Sequence, residues 1–215
     1  MILYVNGDSH SAGHDAGGPE FSYGKHVADA LGAEFVCDAL SGCSNDRIIR
    51  TTKEYLKTHN PDFVIIGWST WEREEWLHKD ETYTVAAGGH TQLPKALQDR
   101  YKEWVINLDT VTEQHRIEDA SHNKIWKFHL ELVEQKIPHL FFNCYSHYFY
   151  THAHVKPKYP WGNCYIDPYN QNLTYYYWLE QQGFKPANPK FYHYGPDAQI
   201  AWANFILPKV KMLLT

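Results

Sequence analysis

The chain has 215 residues, of which 43% are hydrophobic and 21% are charged, a composition that predicts one folded domain over residues 1–215 rather than disorder. The formal net charge of −5 argues against a dedicated nucleic-acid binder. No apolar run reaches the roughly 18 residues of a membrane span. The four cysteines lack the paired short spacing of zinc sites, and we expect them to be reduced thiols in a cytoplasmic protein. The sequence does not predict the oligomeric state.

Strand-like and helix-like patterns alternate along the chain. Apolar runs without polar alternation, typical of parallel strands covered on both faces, occur at residues 1–6, 34–37, 62–67 and 139–144. Stripes with helical spacing occur at residues 48–56, 97–108, 125–133, 173–182 and 198–206. Ser44 or Asn45 is the expected N-cap of the first stripe, and Gly183 is expected to end the fourth. This order predicts a three-layer α/β/α fold of flavodoxin-like type with a parallel central sheet.

Two intervals are longer than a simple crossover needs. Residues 68–138 predict an extra helix and a lid-like excursion around residues 76–93. Residues 145–168 form a predicted loop rich in Tyr, His and Pro. Its aromatic residues suit either a stacking wall for a sugar or acyl group or packing of the loop on itself, and they are Tyr148, Tyr150, Tyr159 and Trp161.

Four short motifs follow predicted strands or precede the last helix. Gly7-Asp8-Ser9 ends the first strand, and Ser41-Gly42-Cys43-Ser44-Asn45 follows the second. Gly67-Trp68-Ser69 ends the third strand, and His193-Tyr194-Gly195-Pro196-Asp197 precedes the last helix. In this order the motifs resemble blocks I, II, III and V of the SGNH hydrolases, also called GDSL-like esterases and lipases. The resemblance spans nearly the whole chain.

The resemblance implies a serine esterase that needs no cofactor and acts on a small ester or an O-acylated carbohydrate. Ser9 would be the nucleophile, and His193 would be the general base. The backbone N–H groups of Ser9 and Gly42 would bind the oxyanion. An acyltransferase that uses the same site and a non-catalytic binding or structural protein remain the alternatives.

The chain departs from the family pattern at two positions. Block V normally carries an aspartate three residues before its histidine, where this chain has Lys190, so we expect a Ser–His dyad. Block III normally carries an asparagine, where this chain has Ser69. A third oxyanion donor is therefore expected from Asn45 or Ser69, and Asn45 is the better candidate because its amide has two N–H bonds.

Each candidate residue also has a purely structural interpretation. Ser9 and Asn45 could be helix caps, and His193 could pack against aromatic rings. Arg73 could bind a substrate carboxylate or phosphate, although an ion pair with a neighbouring glutamate is favoured. The 14 histidines, among them His147, His152 and His154 in the aromatic loop, show no clear ligand set, so no metal is predicted.

Overall fold

The structure is a computed structural model that describes residues 1–87, 93–148, 159–188, 190 and 192–215. The strands are β1 Ile2–Gly7, β2 Glu34–Cys37, β3 Phe63–Trp68, β4 Glu74–His78, β5 Glu81–Val85, β6 His139–Asn143, β7 Pro186–Asn188 and β8 His193–Tyr194. The helices are α1 Tyr23–Leu31, α2 Asn45–Leu56, α3 Lys95–Leu108, α4 Val111–Glu134, α5 Tyr175–Gln181 and α6 Pro196–Leu213.

A parallel sheet forms the middle layer. Within the described residues it has the strand order β2-β1-β3-β6, and every neighbouring pair is parallel. Side chains of β1 alternate between the two faces: Leu3 and Val5 pack with Trp202 of α6, whereas Tyr4 packs with Ile48 of α2. Apolar clusters therefore cover both faces of the sheet, and the predicted three-layer α/β/α fold is confirmed.

Local signals explain where the helices begin and end. Ser44 is the N-cap of α2, and its side chain accepts a hydrogen bond from the Arg47 N–H, so Asn45 is the first helical residue. Helix α1 is absent from the predicted elements, although Ser22 caps it and Gly32 ends it with a φ of 63°. Helix α4 begins 14 residues before the predicted stripe, and Val133 at the end of that stripe is exposed.

The long third crossover contains the two helices predicted by the stripes at residues 97–108 and 125–133, together with a hairpin. It holds two helices, α3 and α4, and an antiparallel hairpin formed by β4 and β5. The hairpin covers most of the predicted excursion at residues 76–93, of which residues 88–92 lie outside the described part of the chain. Trp76 on β4 is buried against Trp104 of α3, which attaches the hairpin to that helix.

The described end of the second long interval pairs with β6. The segment around Cys164 forms one parallel bridge to β6, in which the Phe141 N–H donates to the Cys164 carbonyl at 2.7 Å and the Ile166 N–H donates to the Phe141 carbonyl at 2.9 Å. Tyr148 and Trp161 are buried against His122. For these two residues the packing interpretation applies, while Tyr150, His152 and His154 lie outside the described residues.

None of the helices in the described ranges combines the length and the apolar character needed to cross a membrane.

Candidate active site

The Ser9 turn begins where β1 ends. The Ala12 N–H donates to the Asp8 carbonyl at 2.9 Å, and the His14 N–H donates to the Ser9 carbonyl at 3.0 Å. The turn folds back closely over the sheet, because a Cβ added to Gly7 would lie 2.2 Å from Ser11 Oγ. A glycine at the end of β1 therefore lets the turn approach closely and holds Ser9 at the carboxyl edge of the sheet, where open α/β sheets bind ligands.

His193 meets Ser9 from the opposite end of the chain. Its Nε2 atom lies 2.8 Å from Ser9 Oγ, which is hydrogen-bond distance. Strand β8 holds His193 by pairing with β7, and the adjacent Tyr194 hydroxyl donates to the Tyr176 carbonyl at 3.1 Å. Burial lowers the pKa of His193 below its usual value, against an opposing contribution from its hydrogen bond to Asp15. A neutral imidazole beside a serine hydroxyl can accept its proton.

The prediction of a Ser–His dyad is wrong, because a carboxylate lies within hydrogen-bond distance of the second ring nitrogen of His193, Nδ1. Asp15 Oδ2 lies 3.3 Å from His193 Nδ1. Lys190 is exposed and takes no part in this contact. The turn brings Asp15 into place through the Gly18 N–H, which donates to the Gly13 carbonyl at 3.0 Å, and Asp15 itself has a left-handed φ of 60°. Ser9 and Asp15 thus come from one turn, six positions apart.

Two further histidines border His193. The rings of His10 and His14 lie with their centroids 5.2 and 4.6 Å from the His193 ring, both in edge-on geometry. Burial lowers the pKa of His10 to about 4, so this neighbour is neutral near pH 7. None of these three residues, His10, His14 and Asp15, was predicted to belong to the site. The sequence feature that could have indicated them is the glycine-rich stretch after Ser9, which carries three titratable residues.

Two backbone N–H groups, those of Ser9 and Gly42, were predicted to bind an oxyanion. The loop after β2 runs beside β1, because the Leu40 N–H donates to the Gly7 carbonyl at 3.0 Å and Cys43 Sγ lies 3.3 Å from the same oxygen. Gly42 on this loop is exposed, with a φ of 78° that favours glycine. Across the described residues, neither the Ser9 N–H nor the Gly42 N–H donates a hydrogen bond.

Asn45 is buried and its amide is fully engaged by hydrogen bonds. Its Oδ1 accepts from the Ser69 N–H at 2.9 Å, and its Nδ2 donates to the Ser69 carbonyl at 3.2 Å and to Ser121 Oγ at 3.3 Å. Both amide N–H bonds therefore have acceptors within the protein. These contacts make Asn45 a connection between α2 and the end of β3.

Arg73 contacts residues that follow three neighbouring strands. Its Nη1 atom donates to Ser69 Oγ at 2.9 Å and to the Cys43 carbonyl at 3.5 Å, and it lies 3.8 Å from Asp8 Oδ2. The Asp8 side chain is buried, and the carboxylate also accepts the His10 N–H at 3.0 Å. The favoured ion pair is therefore present, but its partner is Asp8 and not the predicted neighbouring glutamate. Tertiary packing brings the two charges together across 65 positions.

Two cavities are lined by residues that follow the strands. A cavity of about 260 Å³ is lined by Arg73 and Asn45, and one of about 200 Å³ is lined by Trp71, Tyr145 and Tyr177.

Two groups of side chains in the described ranges have ligand atoms within 4.8 Å of one another, as a metal site needs. They are His14 with Asp15 and His193, at the site itself, and His129 with His139 and Cys164, outside it.

The fold of this chain is found in known esterases. It resembles a psychrotrophic esterase, EstA, from Pseudoalteromonas sp. with a TM-score of 0.53 at 13% identity, covering 99% of this chain and 98% of the other. It also resembles a carbohydrate esterase family 2 enzyme from Corynascus thermopiles, with a TM-score of 0.51 at 12% identity, covering the whole chain but only 66% of that protein. A third likeness, with a TM-score of 0.50 at 12% identity, is to a carbohydrate esterase described as having divergent catalytic and non-catalytic binding functions.

These likenesses define the class: the protein has the SGNH-hydrolase fold, in a divergent form. The chain belongs to a family of unknown function, DUF6071, whose model matches residues 5–153. The matched residues contain the Ser9 turn and the end of β3, whereas His193 lies beyond them. No curated protein matches the chain in sequence.

Proposed function

We propose that the protein is a serine ester hydrolase that works through an acyl-enzyme. The contacts of His193 carry this proposal, since one ring nitrogen lies 2.8 Å from Ser9 Oγ and the other lies 3.3 Å from Asp15 Oδ2. A nucleophile, a base and a carboxylate that orients the base are the parts that acyl transfer requires.

The proposed reaction has two steps. Ser9 Oγ attacks the ester carbonyl while its proton moves to His193 Nε2, and His193 then gives that proton to the leaving alcohol as the C–O bond breaks. Asp15 accepts a hydrogen bond from Nδ1–H and stabilises the imidazolium in between. In the second step a water molecule gives a proton to His193 as it attacks the acyl-Ser9 carbonyl. His193 then returns that proton to Ser9 Oγ as the acyl C–O bond breaks and the acid is released.

The proposed oxyanion site uses the N–H groups of Ser9 and Gly42. We assign the third donor to Ser69 and not to Asn45. The Ser69 hydroxyl accepts from Arg73 at 2.9 Å, so its own proton is available for donation, and the charged partner strengthens it as a donor. The pairing of Gly7 with Gly67 supports this assignment, because Ser9 and Ser69 each follow the paired glycine by two residues, just beyond the ends of adjacent strands.

The proposed substrate is a small ester or an O-acylated carbohydrate. The cavity beside Trp71, Tyr145 and Tyr177 supports this class, since aromatic faces bind acyl groups and sugar rings. Arg73 lines the neighbouring cavity, which supports its predicted contact with a negatively charged substrate group.

A fluorophosphonate probe tests the proposal, because it labels only an activated serine. We expect labelling at Ser9 and hydrolysis of short p-nitrophenyl esters, with both lost in Ser9→Ala while circular dichroism stays unchanged. Denatured wild-type protein and Ser41→Ala, which alters an exposed serine near Gly42, are the controls. Absence of labelling in the folded protein would favour a non-catalytic binding protein, and ester products formed with a competing alcohol would favour an acyltransferase.

A further inference from the structure

A second cluster of reactive side chains lies outside the active site. His129 on α4, His139 at the start of β6 and Cys164 beside β6 have ligand atoms within 4.8 Å of one another. We call these three residues the His-His-Cys cluster. His139 and His129 are buried, and Cys164 is half-buried. His139 is at the amino end of β6, whereas Ser9 follows the carboxyl end of β1. The cluster therefore lies toward the opposite ends of the strands from Ser9.

Hydrogen bonds assign the protons within this cluster. His139 Nδ1 lies 2.8 Å from the Ile137 carbonyl, and a carbonyl oxygen only accepts, so Nδ1 carries the proton. The lone pair of His139 is therefore on Nε2, which lies 2.7 Å from His129 Nδ1. A backbone carbonyl that fixes the tautomer in this way is the usual partner of a metal-ligating histidine.

The donor atoms also suit metal ligation. The two histidines are buried, and their facing ring nitrogens lie 2.7 Å apart. Imidazole nitrogens and a thiolate are the ligands preferred by borderline-soft divalent cations such as Zn²⁺. Cys164 is half-buried, so its side chain is partly exposed to solvent.

We propose that His129 Nδ1, His139 Nε2 and Cys164 Sγ bind a divalent cation of the Zn²⁺ type, with water as the fourth ligand. Tetrahedral ligation with Zn–N bonds of about 2.0–2.1 Å separates two nitrogens by about 3.3 Å. The observed 2.7 Å between the two rings must therefore widen slightly. Binding releases the Cys164 thiol proton to solvent, and the His129 proton moves from Nδ1 to Nε2, so that both nitrogens facing the metal offer lone pairs.

The proposed metal site would stabilise the contact between α4, β6 and the Cys164 segment. The Cys164 segment is attached to β6 by one parallel bridge, whose two hydrogen bonds both involve Phe141. A metal held by α4, β6 and this segment would connect three parts of the chain that are distant in sequence. Binding to the folded state alone stabilises that state by mass action. This inference is independent of the proposed esterase activity.

Cobalt binding tests the proposal, because Co²⁺ reports its ligands by absorbance. Titration of the metal-free full chain with Co²⁺ is expected to show one equivalent bound, with visible bands of tetrahedral cobalt and a thiolate-to-cobalt band in the near ultraviolet. Zn²⁺ is expected to displace the cobalt and to raise the melting temperature. Cys164→Ser is expected to lose the thiolate band and to bind at least 10-fold more weakly.

Two control variants separate this cluster from other candidates. Cys37→Ser removes a half-buried thiol outside the cluster, and Asp15→Asn disrupts the group around His193; both are expected to retain the cobalt spectrum. His139→Gln is expected to abolish binding, with circular dichroism used to verify its fold. An absence of cobalt bands, or bands that survive Cys164→Ser and disappear in Asp15→Asn, would overturn the proposal.

Discussion

Asp15 and Ser9 belong to the same short turn and meet the same imidazole. The turn is closed by its own backbone hydrogen bonds, including those of His14 and Gly18. Left-handed backbone conformations occur at Asp15, with a φ of 60°, and at Tyr192, with a φ of 59°, immediately before His193. Such conformations cost energy in residues with a side chain and are often found at functional sites. The interaction that the structure adds to the sequence motif is the contact of Asp15 with His193.

Asp15→Asn is expected to lower kcat by about 10²- to 10⁴-fold, because the amide can hold His193 in the wrong tautomer and does not stabilise the imidazolium. The pH profile of kcat/KM is expected to move as well. His193 must be neutral to act as a base, so activity rises with pH through its pKa. Asp15 raises that pKa, so its removal shifts the midpoint to lower pH.

Ester hydrolysis measured across a pH series checks this expectation, with Asp29→Asn, a surface carboxylate paired with Lys25, as the matched control. An Asp15→Asn variant with an unchanged rate and midpoint would remove Asp15 from the site and restore the dyad.

The elements of the site are held together by side chains that bridge the strand ends. Asn45 connects the first turn of α2 to Ser69 at the end of β3, and Arg73 connects Ser69 with Asp8 and the Cys43 carbonyl. These residues link the loops after three neighbouring strands. Because buried polar groups are costly when unpaired, each bridge helps to fix the position of the loop that it holds.

Asn45→Ala is expected to lower the free energy of unfolding by about 1–3 kcal/mol, because it leaves the buried Ser69 N–H and carbonyl unpaired. Urea unfolding of the variant measures this loss, with the exposed Asn60→Ala as control. If stability were unchanged while kcat fell by more than about 10²-fold, Asn45 would be an oxyanion donor after all.

The buried histidines His10 and His139 are expected to make the protein sensitive to acid. Burial lowers the pKa of His10 and of His139 to about 4 in the folded protein. The unfolded chain protonates these groups near the ordinary pKa of about 6.5. Between these values the unfolded state binds more protons, so the stability present above about pH 6.5 is lost as the pH falls toward 4.

Metal-free protein is therefore expected to lose about 2–3 kcal/mol of unfolding free energy per buried histidine between about pH 7 and pH 4. Urea unfolding at several pH values measures this slope. His10→Gln is expected to flatten it, whereas His115→Gln, at an exposed position on α4, is expected to leave it unchanged. A slope that His10→Gln does not alter would contradict the assignment of this loss to buried histidines.

Features that depend on neighbouring residues could be predicted from the sequence. Near-continuous apolar runs identified β1, β3 and β6, because strands buried on both faces need apolar side chains at most positions. Helical spacing identified the apolar stripes of α2, α3 and α6, and the side chain of Ser44 identified a cap. The motif around Ser9 located the candidate nucleophile, because a strand end and a glycine turn are both local signals.

The tertiary structure decided the contacts that join distant residues. The glycine-rich stretch after Ser9 indicates a turn with titratable residues, but it does not indicate that the Asp15 carboxylate meets His193. No residue near Arg73 indicates Asp8 as its partner. The hairpin of β4 and β5 also escaped the sequence pattern, because its turn uses Lys79 and Asp80 at positive φ where a glycine signal is usual. Backbone preference and hydrophobic periodicity are short-range properties, whereas a site assembled from three loops depends on how the layers pack.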